Sequence, residues 1–423
     1  MATQAASLST DFGARAVAGV RYVARQPILD ARGRVHGYEL LFRSGPQSGF
    51  SGDGNLATRT MLDNTVLFGL DKLTAGLPAF VNCTMESLTS QLVDILPPSM
   101  TVLEILETLE PTPALIEACR TLKKHGYRLA LDDFVYAPKF EPLIELASYI
   151  KVDFATTPSS ERQRMVESMS KKAISMLAEK VETQQDYQQA RSEGFTLFQG
   201  YFFCRPVLLK SQKIPPNSLF YIEILQMLQS SPIDLRRLSK LVKRDASLTY
   251  RLLRLVNSPV SAIRQQVDSI EAALVVVGED TFRRIATLAI TSELNASQPA
   301  EILRMSFVRG RFCELASGLC AKHPTEQYLL GMLSLLPAML RMPMEELLPS
   351  LPLRDKVRDA LSGKPIPERD LLCWLEAYER GDWVRCDSVA QSSGLNQSDL
   401  VRCYEEALVW AEAAQSSVPS RPA

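Results

Sequence analysis

Between Tyr22 and about Pro206, short β-rich runs alternate with helical patterns, and nearly every run closes on an acid, an amide or a lysine. This alternation constrains the fold more than any other feature of the chain. Val23 to Leu29, a polar turn around Asp30 and Gly33, and Val35 to Phe42 read as a hairpin. Further runs span Ala79 to Asn82, Thr101 to Ile105, Arg128 to Asp132, Tyr149 to Asp153, Ala173 to Ala178 and Leu197 to Gln199. Between them lie amphipathic stretches such as Leu62 to Leu73 and Ala114 to His125, the second stopped by Gly126. Strands joined by crossover helices predict a largely parallel sheet, and seven such units after one antiparallel opening strand predict a closed β/α barrel.

A chain of 423 residues is too long for one ordinary core, so a second domain is expected. Lys210 to Ser218, with Pro215 and Pro216 together, reads as a linker. Beyond it the strand signal fades. Ser218 to Ser230, Asp234 to Arg244, Ala246 to Asn257, Ser269 to Val277 and Asp280 to Ile290 carry apolar residues at helical spacing, as do Glu301 to Ala321, Glu326 to Arg341 and Ser398 to Ala414. The expected organisation is a loose tail over 1–20, a barrel over 21–209, a linker over 210–218, an all-α domain over 219–415 and a disordered tail over 416–423.

A formal net charge of −1 argues against binding nucleic acid by bulk electrostatics. No apolar run approaches the ~18 residues of a membrane span, and the first twenty residues, with Asp11 and Arg15, do not read as a secretion signal. The eight cysteines form no CxxC pair, which excludes a zinc knuckle and fits reduced thiols in the cytoplasm.

The residues closing the strands are, in order, Glu39, Asn82, Glu104, Asp132 with Asp133, Lys151 with Asp153, Glu179 and Gln199. The C-terminal ends of barrel strands converge on one mouth, so residues distant in sequence become one ring. A single acid after a strand is commonly a helix cap; a whole succession of polar strand ends is not explained that way. Oxygen ligands of this kind suit Mg²⁺ or Mn²⁺, and adjacent aspartates can reach two ions, the device used against phosphate esters. Within such a ring Lys151 becomes a candidate to orient or deprotonate water. No GxGxxG or Walker-type loop follows any strand.

Tyr38-Glu39-Leu40-Leu41-Phe42-Arg43 resembles the name-giving motif of the EAL family of cyclic di-GMP phosphodiesterases. Val81-Asn82, Leu103-Glu104-Ile105-Leu106-Glu107, Asp132-Asp133-Phe134, Ile150-Lys151-Val152-Asp153, Ala178-Glu179-Lys180-Val181-Glu182 and Gln199-Gly200-Tyr201 resemble that family's later motifs in order. The resemblance implies a barrel that binds two Mg²⁺ or Mn²⁺ ions and opens cyclic di-GMP to linear pGpG. It implies that Glu39, Asn82, Glu104, Asp132, Asp133 and Glu179 hold metal, with Lys151 and Glu179 at the catalytic centre. Arg43 and Gln199 would serve the substrate, and Glu107, Asp153 and Glu182 would support the mouth. Some positions depart from the family: Leu40 replaces alanine, Thr84 replaces serine, and Lys180 stands where glycine is usual. Val135-Tyr136-Ala137-Pro138 replaces a flexible Gly-Thr-Gly loop that helps position the second metal and couples the barrel to a dimer partner, and Pro138 lacks a donor.

In the second half, Leu241 to Leu248, Leu253 to Pro259, Ser269 to Leu274 and Gly278 resemble the HDOD domain, which is related to HD phosphohydrolases without their metal ligands. The chain agrees: its histidines are His36, His125 and His323, and none precedes an aspartate. His323 before Pro324 reads as a helix-end residue. Arg236, Arg237, Lys240, Lys243, Arg244, Arg251 and Arg254 read as solvated helix faces, and Leu333 to Leu340 as core. Two readings follow: a metal-dependent cyclic di-GMP phosphodiesterase whose helical half regulates it or docks a partner protein, or a receptor or scaffold that binds the dinucleotide or a partner protein and turns over little or nothing.

Overall fold

The computed structural model describes residues 21–44, 70–90, 92–204, 216–229, 233–258, 267–295, 298–351 and 353–417. Eight strands close a barrel in sequence order: β1 Arg21–Asp30, β2 Val35–Ser44, β3 Ala79–Cys83, β4 Thr101–Ile105, β5 Arg128–Leu131, β6 Tyr149–Asp153, β7 Ser175–Glu179 and β8 Leu197–Gln199. β1 runs antiparallel to both β2 and β8, and the remaining neighbours pair parallel. The expected barrel with its reversed first strand is the observed one. β7 starts at Ser175, later than the alternation predicts, because Lys172 and Ile174 are held in the turn after helix Ser159–Met169. Of the amphipathic stretch Leu62 to Leu73, the end is described and belongs to helix Leu70–Thr74; the rest lies outside the described residues.

The barrel interior is layered by the two-residue period of the strand. A lower layer of Ile28, Phe80, Val102, Ala130, Tyr149, Leu177 and Leu197 forms its own apolar cluster. Two residues nearer the mouth on each of these strands stand Gln26, Asn82, Glu104, Asp132, Lys151, Glu179 and Gln199. β1 obeys the same rule with its numbering reversed, since Gln26 pairs with Glu39 and Ile28 with Gly37. Gly37 leaves room for the lower layer: a Cβ there would sit 2.6 Å from Pro78 O and 3.0 Å from the Phe80 ring.

The second half is helical throughout its described residues. Its first helix begins at Pro216, inside the stretch read as a linker, because proline suits a helix's first turn; residues 205–215 lie outside the described residues. The single helix expected over Glu326 to Arg341 is two, Pro324–Leu333 and Leu336–Leu340, since Pro337 has no N–H to continue the ladder. His323 is the N-cap of the former, as expected. Leu333, Leu336 and Leu340 are buried. Of the basic residues between Arg236 and Arg254, all are exposed as read except Arg251, which is buried against Glu293 at 2.6 Å. Helices Asp355–Leu361, Asp370–Glu379 and Trp383–Ser392 precede the terminal Gln397–Ser417. The tail expected to be disordered therefore begins in helix, and residues 418–423 lie outside the described residues. Trp374 stacks on Phe312 and Tyr378 with centroids 5.4 and 4.7 Å apart. At Gly331 the helix passes so close to its neighbour that a Cβ would fall 2.2 Å from Arg309 O.

The two halves meet along β1, β2 and the end of β8. Tyr38 on β2 donates its hydroxyl hydrogen to Glu301 Oε2 (2.8 Å), and the Val23 amide of β1 donates to Tyr378 Oη (3.0 Å). The Arg380 guanidinium lies 4.8 Å from the Tyr201 ring centre. Among the described residues no helix is long and apolar enough to cross a membrane.

Candidate active site

Each strand delivers one polar side chain to the mouth, and Lys151 is the hub. Its Nζ lies 2.6 Å from Glu104, 2.7 Å from Asp132, 2.9 Å from Glu179 and 3.3 Å from Glu39, carboxylates of four other strand ends. The lysine side chain is 1% exposed. Glu39 also accepts hydrogen bonds from Gln199 Nε2 at 2.6 Å and Asn82 Nδ2 at 3.2 Å, and Gln199 donates to Gln26 Oε1 at 2.9 Å.

An ammonium buried this deeply would lose its proton if alone. Burial pulls the Lys151 pKa down, but Glu104, Glu179, Glu39 and Asp132 overcome it and hold it well above the ordinary value. Lys151 is therefore an ammonium that orients its neighbours, not a free base. One cation does not balance four carboxyls. Burial, aided by the charges of Glu39 and Asp132, pushes Glu104 well up against the pull of Lys151. Burial likewise raises Glu179 to about 8 and raises Asp132. Glu39 goes the other way: burial pushes it up, but Lys151, Gln199 and Asn82 together hold it below the ordinary range.

Asp133 reaches the rim by a different route. Adjacent strand residues face opposite sides, so Asp133 should point away from Asp132. The strand has ended at Leu131, and Asp133 takes φ +38°, a left-handed turn that aspartate tolerates better than most residues. Lys180 also has a left-handed φ, +54°. Its ammonium lies 2.6 Å from Asp153 Oδ2 and 3.5 Å from Asp133 Oδ2. Asp153 Oδ1 accepts the amides of Ala155 and Thr156 at 2.9 and 3.0 Å.

The remaining residues singled out from sequence divide. Gln199 is in the ring and buried. Glu107 is exposed in the turn after β4, outside the ring's hydrogen bonds, so proximity in sequence to Glu104 did not carry it inward. Glu182 is half-buried just before the capping box of helix Gln184–Glu193. Arg43, on β2, pairs with Tyr22 of β1, and its side chain lies outside the described residues. Sequence reasoning missed Gln26, whose signal was available: it precedes Ile28 by two residues on the reversed strand.

The donors fit a divalent cation in kind. Buried side-chain oxygens are left without a hydrogen-bond donor at Asn82 Oδ1, at Asp133 Oδ1, at Gln199 Oε1 and on Glu104, whose Oε1 meets Lys151 only as an ion pair. All are the hard oxygens that Mg²⁺ and Mn²⁺ take, and the ring holds four carboxyls against one ammonium. Among the described residues, no three His, Cys, Asp or Glu side chains are arranged around one point to hold an ion. With Lys151 Nζ at the centre, the carboxylates must turn from it to close on a cation.

The EAL domain family matches residues 57–206 and the HDOD domain family matches residues 214–343. The barrel extends further than the first match, since β1 and β2, with Glu39, lie before it. An uncharacterised Bacillus subtilis protein, YuxH, is 37% identical over 401 residues, 92% of this chain and 97% of its own length. The cyclic di-GMP phosphodiesterase CdgJ of Vibrio cholerae is 35% identical over 401 residues, 92% of either chain. Among solved structures, the calcium and cyclic di-GMP complex of Klebsiella pneumoniae BlrP1 is 25% identical, with a TM-score of 0.38 over 44% of this chain and 56% of the other. An EAL domain protein of Listeria monocytogenes is 21% identical, with a TM-score of 0.36 over 44% of this chain and 87% of that one. With both domains matched in order and relatives aligned over 92% of its length, the chain belongs to the family of proteins that join an EAL domain to an HDOD domain.

Proposed function

We propose that the barrel is a metal-dependent phosphodiesterase that opens cyclic di-GMP to linear pGpG, and that the helical half is its regulatory or partner-docking module. The observation that carries this reading is the ring of four carboxylates around one buried ammonium, bordered by oxygens that lack donors. The name of the Vibrio relative, a cyclic di-GMP phosphodiesterase, supports the substrate.

Glu39, Asn82, Glu104, Asp132, Asp133 and Glu179 would hold two Mg²⁺ or Mn²⁺ ions. When bound, these would supply positive charge to the phosphate oxygens and make water acidic enough to attack. Lys151, kept protonated by its neighbours, gathers Glu104, Asp132 and Glu179 at the mouth until they turn to the ions, and would then donate to the attacking oxygen. Gln199 fixes the Glu39 carboxylate by a 2.6 Å hydrogen bond and presents a carbonyl oxygen without a donor. Arg43, on the strand end beside Glu39, would meet the substrate phosphate.

A second reading, a receptor with little turnover, is favoured by one feature. The segment after Asp133 is stapled: Phe134 is buried against Phe140 with rings 5.7 Å apart, and Tyr136 donates to Glu141 Oε1 at 3.0 Å. The test is incubation of the purified chain with cyclic di-GMP and Mn²⁺ or Mg²⁺, followed by chromatography. Formation of pGpG that disappears in Glu39→Ala supports the enzyme. Binding without product supports the receptor, and neither binding nor product removes both.

A further inference from the structure

We propose that Lys180 governs the affinity of the second divalent ion: its ammonium, moored on Asp153, shares the Asp133 carboxylate with that ion and must leave before the ion can settle. The inference rests on the metal reading above and concerns Asp133, the one proposed carboxylate ligand that Lys151 does not touch.

Among the described residues two cations stand at the mouth, and they differ in kind. Lys151 is 1% exposed and touches four carboxylates from separate strands, so it is fixed. The Lys180 side chain is 55% exposed and touches two, one closely at 2.6 Å and one at 3.5 Å. A half-exposed ion pair on a flexible stem is weak and separates readily. Asp153 is the mooring: amides of Ala155 and Thr156 saturate Oδ1 and fix the carboxylate, leaving Oδ2 for the ammonium. Asp133 is the shared oxygen pair. Its Oδ1 is buried without a donor, while Oδ2 lies near the Lys180 ammonium.

The juxtaposition is built by the backbone. Asp133 and Lys180 both sit just past a strand end with left-handed φ, +38° and +54°, and those two turns swing their side chains towards each other over the rim. An L residue adopts such φ only when the surrounding structure imposes it. An ion seated on the ring carboxylates draws them from Lys151; an ion that also needs Asp133 meets the Lys180 ammonium as a further competitor. One tight and one weak step follow.

The experiment is Mn²⁺ titration of the full chain by calorimetry, with electron paramagnetic resonance to detect a spin-coupled ion pair. Lys180→Gly is compatible with the fold because glycine adopts φ +54° without strain; melting curves verify it. Lys180→Met removes the charge and keeps the stem, and Lys180→Arg keeps the charge. The wild-type protein is expected to bind in two steps. Lys180→Met and Lys180→Gly should tighten the weaker step about tenfold and show the coupled signal at lower Mn²⁺, while Lys180→Arg should not. A weaker step unchanged in both uncharged variants overturns the role of Lys180 and leaves the metal site standing. Absence of Mn²⁺ binding in every protein overturns the metal reading, and this inference with it.

Discussion

Lys151 shows how a single residue can decide the state of a site. Its ammonium is the only basic group in contact with Glu39, Glu104, Asp132 and Glu179 among the described residues. Replacing it by methionine leaves four buried carboxyls with no cation, the kind of broken buried pair that costs about 3–5 kcal/mol. Lys151→Met should therefore melt well below the wild-type protein at neutral pH. If a divalent ion can take over the same oxygens, Mn²⁺ should raise the melting temperature of the variant more than that of the wild type, because binding to the folded state alone stabilises it. Melting curves with and without Mn²⁺ check both points, and an equal response in the two proteins would count against a shared site. Lys151 could be placed from sequence because it stands two residues beyond an apolar interior position, Tyr149. Glu107 could not be excluded by that logic, because it sits past the strand, where the period of two no longer holds. The left-handed turn at Asp133 had no sequence signal; the one at Lys180 had only the glycine usual at that place in the resembling family.

At the scale of elements, strands were legible as short, largely buried apolar runs closed by a polar residue, while breaks between helices were not. The pattern over Glu326 to Arg341 stays apolar through Pro337, so periodicity ran across a break that only the missing N–H reveals. If the barrel is the phosphodiesterase proposed above, the segment after Asp133 is the element that sets its turnover. Pro138 opens a short 3₁₀ turn, Phe134 anchors one end and Tyr136 ties the exposed middle to Glu141. Replacing Val135, Tyr136 and Ala137 by glycine, threonine and glycine removes that tie and frees φ. Since a misplacement of about 1 Å can cost ~100-fold in rate, the hydrolysis rate should rise about tenfold or more, with cyclic di-GMP affinity changing less. Single-turnover kinetics beside calorimetry in Ca²⁺ measures both. A variant that gains affinity but no rate would show that the loop limits access, not register.

At the scale of the whole molecule, the barrel and the helical half share buried chemistry that no local pattern announces. Tyr38 and Glu301 are 263 residues apart, Val23 and Tyr378 are 355 apart, and each pair is buried and hydrogen-bonded. Tyr38 precedes Glu39, so the helical half holds the strand that carries a ring carboxylate. Glu301 makes that contact sensitive to pH. Burial raises its pKa from 4.5 to about 7, against the pull of Arg25 and the Tyr38 hydroxyl. A carboxyl raised by folding favours the folded state while protonated. Its contribution is complete below about pH 4.5 and is lost as the pH rises through about 7. The raise corresponds to about 3 kcal/mol between those limits. Glu301→Gln keeps an oxygen to accept from Tyr38 and removes the ionisation, so it should be more stable than the wild type at pH 8 and similar at pH 4.5. Tyr38→Phe removes the hydroxyl and should lower stability at both values by about 1 kcal/mol. Urea midpoints at the two pH values separate these effects. Parallel stability profiles for Glu301→Gln and the wild type would mean that Glu301 stays ionised in the junction, and that the helical half grips β2 without regard to pH.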